Sequence, residues 1–367
     1  MKEKKYTCDI CHEEHDLSEL TYFDESYLCE DCLRRETFIC RDCGDRHWND
    51  DSADGDLCQT CYDEDYVRCE RCDAVIHYDD ACYHEDEEYH DYPYCRDCFD
   101  MDEIIHDYYY KPEPIFYGDG PRYLGVELEL DDGGENEFCA SKLLEIANNG
   151  CERMYIKHDG SLDDGFECVT HPMTLDYHIN QMPWKAILNK AVAKGYLSHQ
   201  AGTCGLHVHI SRNALGANYE EQEATIAKIL YFYEKFWNEI LTFSRRTESQ
   251  AEHWARRYGG GIINPKETLK HAKNSHMGRY AAVNLENEAT IEMRIFRGTL
   301  KYNTFIATLQ MVDEICKVAI SLSDEFMQGL TWLDFVKGIA DGKQELINYL
   351  KEKRLYVNEP IRNEVEI

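Results

Sequence analysis

Two groups of residues in this sequence are spaced for chemistry. The first is sulfur: twelve of the 18 cysteines form six Cys-x-x-Cys pairs, all before residue 99. These are Cys8/Cys11, Cys29/Cys32, Cys40/Cys43, Cys58/Cys61, Cys69/Cys72 and Cys95/Cys98. The second is a set of strand-like stretches carrying Glu127/Glu129, His207/His209 and Glu292/Arg294, each pair split by one aliphatic residue. Successive side chains of a strand point to opposite faces, so each pair shares one face. The other face is then aliphatic: Val126, Leu128 and Leu130; Leu206, Val208 and Ile210; Ile291, Met293 and Ile295.

Close cysteine pairs in a reducing compartment hold metal more often than they form disulfides. First pairs start at residues 8, 40 and 69, so one unit recurs three times, at intervals of 32 and 29 residues. Four thiolates per unit match tetrahedral zinc. Acidic segments this short bury too little core to fold without it. Three zinc ions are expected, structural because a closed four-sulfur site leaves no open coordination position. The spacing is compatible with ligands closing within one repeat or cross-braced between neighbours. His15, His47 and His77 follow the first pairs by four or five residues; with four thiolates in place, they are expected to pack or hydrogen-bond beside the metal. Cys82 is left over, next to the polar run His84-Glu85-Asp86-Glu87-Glu88.

Glu127 and Glu129 alone could be the solvated face of an edge strand. Two like charges side by side on a pleated surface repel, and a cation between them relieves the repulsion. With His207/His209, Glu292/Arg294 and Glu167 on a fourth strand, they describe a polar face of carboxylates, imidazoles and a guanidinium. Oxygen ligands with one imidazole suit Mg²⁺ or Mn²⁺ better than zinc.

The elements that must position these residues follow from periodicity and breakers. Strands are expected around 122–130, 154–162, 165–172, 205–211, 280–285 and 290–298. Helices are expected around 139–149, 176–194, 219–243, 302–323, 331–341 and 343–352. Strands in pairs with helices between them imply an α+β fold, with a largely antiparallel sheet, a concave polar face and flanking helices. Pro112, Pro114, Gly118, Gly120 and Pro121 mark a break. The expected division is a zinc-bound domain at 1–104 (repeats at about 1–36, 37–65 and 66–104), a linker at 105–121, a catalytic domain at 122–325 and a helical extension at 326–367. Arg245, Arg246, Arg256 and Arg257, with Gly259-Gly260-Gly261, could form a basic lid, or merely a surface loop.

The charge is −32 overall, and residues 1–110 carry −24 of it, with 34 acidic against 10 basic residues. That balance repels nucleic acid and membrane surfaces, and fits equally a basic protein partner for residues 1–104 or a solvated surface that serves solubility. No 18-residue apolar run occurs, and the Met-Lys-Glu-Lys-Lys start lacks an apolar signal region, so a cytoplasmic protein is expected.

Residues 122–320 resemble the amidoligase branch of the carboxylate–amine ligases, relatives of γ-glutamylcysteine synthetase and glutamine synthetase. The resemblance rests on Gly125-Val126-Glu127-Leu128-Glu129; Asp159-Gly160-Ser161 followed by Gly165-Phe166-Glu167 and Pro172; Gly205-Leu206-His207-Val208-His209; Ile291-Glu292-Met293-Arg294; and the helix beginning Asn303-Thr304-Phe305. Four such motifs in order are more specific than any one alone. The resemblance implies a glutamine-synthetase-like fold and ATP-dependent amide formation from a carboxylic acid and an amine, small molecules or groups on a protein, through an acyl phosphate. It implies that Glu127, Glu129, Glu167, His207 and Glu292 hold divalent ions. His209 and Ser161 would face the nucleotide, and Arg294 the γ-phosphate and the acyl group. Arg297, five positions after Glu292, needs a bulge or a strand end to join them. The sequence departs from the family pattern in offering only Glu167 as a carboxylate in its segment, with Asp163 and Asp164 off a clean strand. Cys168 and Cys204 read as small buried side chains. Two other readings remain open: an acidic zinc-containing binding protein on a degenerate ligase scaffold, and a metal-dependent hydrolase.

Overall fold

The computed structural model describes residues 5–83, 92–99, 104–259 and 264–356. The chain forms two compact units, Met1–Asp102 and Glu103–Ile367.

The first unit is one motif used three times. In each repeat the first Cys-x-x-Cys caps a short hairpin: Tyr6–Thr7 with Glu14–His15, Thr37–Ile39 with Arg46–Trp48, and Tyr66–Arg68 with Val75–His77. The turn closes on a residue in the left-handed region, His12 (φ 62°), Gly44 (φ 76°) or Asp73 (φ 61°). The amide of that residue donates to the carbonyl of Cys8, Cys40 or Cys69. The second pair ends a strand or bridge and opens a helix, Glu30–Glu36, Gln59–Asp65 or Arg96–Phe99. Repeats are stitched in sequence: Trp48 packs on Phe23 at 5.2 Å and donates to Asp24. The acidic run 84–88 lies outside the described residues.

The second unit, its elements numbered from its own start, is built on a seven-stranded sheet. Its strands are β1 (Ile105–His106), β2 (Leu124–Leu130), β3 (Met154–Lys157), β4 (Phe166–Thr170), β5 (Leu206–Ser211), β6 (Val283–Asn284) and β7 (Thr290–Met293). The order is β1-β3-β4-β2-β5-β7-β6, and every pairing is antiparallel except β1 with β3. The mainly antiparallel α+β expectation holds. β1 falls in the stretch read as a linker, and its two residues join the sheet edge.

The helices are α1 (Glu137–Asn148), α2 (Leu175–Asn180), α3 (Trp184–Ala193), α4 (Tyr219–Lys235), α5 (Trp237–Ser244), α6 (Glu248–Trp254), α7 (Pro265–Asn274), α8 (Tyr302–Ser321), α9 (Asp324–Gly329), α10 (Trp332–Lys337) and α11 (Gln344–Glu352). The single helix expected over 176–194 is two, because Pro183 has no amide to continue the ladder. The helix expected over 219–243 breaks at buried Phe236 (φ −109°, ψ 33°), which packs on Phe232 and Trp332. Three helices were not anticipated, yet their caps are written locally: Thr247 with Gln250 for α6, Asn264 followed by Pro265 for α7, and Ser323 for α9.

One core unites the aliphatic face of the sheet with α3, α4 and α8; Trp184, for instance, lies 4.3 Å from Phe305. The segment read as a helical extension shares that core. Phe335 packs on Phe232 and Tyr349 on Phe243, and Lys343 donates to Asp313 and Glu314, each at 2.7 Å. Residues 357–367 lie outside the described part. Among the described residues no helix is long and apolar enough to cross a membrane.

Candidate functional site

The strand order turns the alternation seen in sequence into a surface. Glu127 on β2 stands opposite His207 on β5, and Glu129 opposite Glu167 on β4. His209 stands opposite Glu292 on β7, and Lys157 on β3 opposite Glu167. All of these side chains line a cleft of about 1580 Å³ over the polar face of the sheet.

At its centre His207 Nδ1 lies 3.4 Å from Glu127 Oε2 and 3.5 Å from Glu292 Oε1, while its Nε2 lies 3.7 Å from Glu129 Oε1. His209 Nε2 is 3.0 Å from Glu127 Oε1. Arg294 pairs with Glu292 Oε1, and Asn284 donates to Glu292 Oε2 at 2.8 Å. Glu129 accepts from the amide of Gly205, and Lys157 Nζ is 3.2 Å from Glu167. A side chain at residue 205 would land on the His207 imidazole, which is why glycine stands there.

The carboxylates here are deeply buried: Glu129, Glu167 and Glu292 are 4, 2 and 3 % exposed. Acidic residues tolerate this only when compensated. Burial, and then the charge of Glu127, pushes Glu167 well above the usual carboxylate range; Lys157 offsets only part of it. Burial also raises Glu129. Glu127 differs: burial works against its ionisation, but His209 and then His207 outweigh it and hold the carboxyl well below the usual range. His209 is raised in return, the attraction of Glu127 exceeding the effect of burial.

Glu127, His207 and Glu292 each place a ligand atom within 4.8 Å of the others. With Glu129 and Glu167 crowded against them, the donor set fits a hard divalent cation, whose charge would keep the raised carboxyls ionised. Ser161 lines the cleft, its hydroxyl and amide donating to Asp159 Oδ1 at 2.6 and 2.7 Å.

Other expected residues lie elsewhere. Arg297 does not line the cleft: past the end of β7 its backbone bridges Gly205, its amide donates to Ser244 and its carbonyl accepts from Arg245. Of the four arginines read as a lid, only Arg246 lines the cleft. The Arg256 amide joins the Tyr280 carbonyl, and Arg257 pairs with Glu234 at 3.0 Å. Gly260 and Gly261 lie outside the described residues. The amides of Asp163 and Asp164 donate to Asp131, so this turn caps a buried carboxylate. Cys168 and Cys204 are buried, and burial pushes the Cys204 thiol up to about 12, which disfavours the thiolate.

Sequence reasoning missed Lys157, Tyr155, Asn284 and the segment 108–116. Lys157 and Tyr155 follow the same two-residue alternation that exposed the others. The segment 108–116 forms one wall, with Tyr108 reaching Arg279 Nη1 at 2.6 Å and Ile115 donating its amide to His171 at 3.2 Å. Only the tertiary fold reveals these pairings.

In the first unit the cysteines gather as Cys8/Cys11/Cys29/Cys32, Cys40/Cys43/Cys58/Cys61 and Cys69/Cys72/Cys95/Cys98, so each group closes within its repeat. Backbone amides feed the first sulfur of a group: those of Cys29 and Cys58 donate to Cys8 and Cys40, each at 3.4 Å. Burial raises Cys8 and Cys40, but amide hydrogen bonds overcome it and bring both thiols down to about 6. The three groups could hold zinc ions. His47 Nε2 lies 3.7 Å from Cys43 Sγ, the supporting position expected of it.

No curated protein matches the chain. A family model described as "Putative amidoligase enzyme" matches residues 147–316. That span carries Glu167, His207, His209, Glu292 and Arg294 and begins after β2. The match supports the amidoligase family, and with it a ligase.

Proposed function

We propose that the second unit is an ATP- and Mg²⁺-dependent carboxylate–amine ligase with a glutamine-synthetase-like catalytic sheet. The single observation that carries this is the Glu127–His207–Glu292 donor cluster, on three adjacent strands, with Arg294 beside it. A hydrolase needs the metal ligands but gives no reason for the guanidinium pairing next to them.

Glu127, Glu129, Glu167, His207 and Glu292 would hold the divalent ions, Mg²⁺ or Mn²⁺. When bound, these neutralise phosphate charge, the main demand of phosphoryl transfer. His209 and Ser161 face the nucleotide, and Arg294 orients the γ-phosphoryl group against the acid. A carboxylate oxygen of the acid bonds to the γ-phosphorus as the bond to the bridging oxygen breaks, releasing ADP. The amine nitrogen then attacks the acyl carbon, loses a proton and expels phosphate. The buried floor of the cleft limits water, which would otherwise hydrolyse the activated acid.

The first unit, acidic and in this proposal bound to three structural zinc ions, docks a basic partner or a protein substrate. Its exposed Tyr22 and Tyr27, 5.0 Å apart, offer an aromatic contact within that acidic surface.

The test is ADP release from ATP and Mg²⁺ in the presence of mixed amino acids. Release should require both an acid and an amine and should vanish in Glu127→Ala and Glu292→Ala. Unchanged release in these variants, with the protein folded, would exclude the ligase.

A further inference from the structure

The cleft contains a buried cation that, among the described residues, has no carboxylate in ion-pair contact. Arg246 is 7 % exposed and follows the end of α5, where Arg245 turns into the left-handed region at φ 67°. Its Nε donates to the Ile295 carbonyl at 3.1 Å, and its Nη2 to the Phe296 carbonyl at 3.4 Å. Among the described residues it forms no ion pair, and its Nη1 has no hydrogen bond. The two cations on the sheet floor are matched, Lys157 by Glu167 and Arg294 by Glu292. Burial drags the Arg246 guanidinium down to about 10; Glu129 opposes this, while Arg294 and Arg297 add to it.

Two carbonyl dipoles are poor compensation for a buried charge. The planar fork of a guanidinium is shaped for the paired oxygens of a carboxylate or a phosphoryl group. Arg246 lines the cleft of about 1580 Å³, so an anion that enters the cleft can reach the guanidinium. The guanidinium lies by Gly205, next to the candidate metal ligands: a Cβ built there would meet both Arg246 Nη2 and the His207 ring, and the Gly205 amide donates to Glu129.

We propose that Arg246 is an anion anchor, its open edge receiving a carboxylate or phosphoryl oxygen of a substrate. Naming that anion as substrate rests on the ligase function proposed above; the binding itself does not.

The test uses the full zinc-loaded chain without ATP, titrated with inorganic phosphate and, separately, with glutarate. At least one should bind. Arg246→Gln should weaken that binding by about tenfold, as expected for losing a charged hydrogen bond. Arg246→Lys, which keeps the charge but loses the fork, should weaken it severalfold and covers the case in which Arg246→Gln does not fold. Loss of phosphate binding alone assigns a phosphoryl group, loss of glutarate binding alone a carboxylate, and loss of both an anchor for either. If neither anion binds, or affinity is the same in wild type and variants, the anchor is overturned. Since no turnover is measured, anion binding that persists without ADP release would sink the ligase and leave the anchor standing.

Discussion

His207 and Glu127 stand directly opposite each other in the β2–β5 register, with His207 Nδ1 3.4 Å from Glu127 Oε2. The same nitrogen is 3.5 Å from Glu292 Oε1, so one ring atom faces carboxylates from two neighbouring strands. A single proton on Nδ1 can serve only one of them; an unprotonated Nδ1 suits a cation shared by all three. His207→Ala should therefore weaken Mn²⁺ binding, measured by calorimetry, and lower ADP release on the order of 10²-fold, since a metal ion supplies several kcal/mol to such a reaction. Equal Mn²⁺ affinity in the variant would remove His207 from the metal site.

Asn284 lines the cleft and donates to Glu292 Oε2 at 2.8 Å, while its Oδ1 accepts from the Glu286 amide at 2.9 Å. Partners that orient a metal ligand are typically worth about 10–100-fold in metal affinity. Asn284→Ala should show a loss of that size, with melting temperature nearly unchanged. A large drop in melting temperature at unchanged affinity would make Asn284 a packing residue instead.

Gly205 tests the tightness of the site. Its alanine variant places a methyl group where the His207 ring lies. Overpacking of this kind costs about 1–3 kcal/mol. The expected result is a protein that still folds but loses most ADP release; wild-type turnover would show that His207 can move aside freely.

His178 makes stability depend on acid. It is fully buried, its Nε2 donating to the Leu124 carbonyl at 3.0 Å and its Nδ1 accepting from Trp184 Nε1 at 3.2 Å, an arrangement open only to the neutral ring. Burial brings it down to about 4, the Leu124 hydrogen bond opposing the shift. The unfolded chain protonates first, near the ordinary value of about 6.5. Stability from this group is thus complete above about 6.5 and is lost as pH falls toward 4, to the extent of ~3 kcal/mol. Urea unfolding of wild type and His178→Gln between neutral pH and pH 4.5 should show a shallower acid slope in the variant; parallel curves would contradict the assignment.

The cysteine groups predict stoichiometry. Metal analysis should return about three zinc ions per chain, and Cys40→Ala should remove one. Because Trp48 packs on Phe23 of the first repeat, loss of the first ion through Cys8→Ala should also shift Trp48 emission to longer wavelength. Retention of all three ions in both variants would refute four-sulfur coordination.

Much of the site can be read in one dimension because strands are periodic. Val126, Leu128 and Leu130 on one face leave Glu127 and Glu129 no choice but the other, and the same holds for His207 and His209. What periodicity cannot supply is neighbour order. That β2 lies between β4 and β5, so that Glu129 meets Glu167 and Glu127 meets His207, depends on long-range pairing. Arg297 shows the opposite limit: regular alternation ends with β7 at Met293, and its side chain falls outside the cleft. Helix α7 was overlooked for its polarity, although Asn264 and Pro265 announce its start.

The central strand has a consequence for trimming the chain. A polypeptide cut to the matched stretch, 147–316, would lack β2. β4 and β5 would then face each other across a gap of roughly 9–10 Å, two strand spacings, each with a row of unpaired amides and carbonyls. Such edges recruit strands from other molecules and lead to aggregation. The matched stretch therefore omits a central strand, and a fragment that keeps the sheet whole must begin upstream of Leu124.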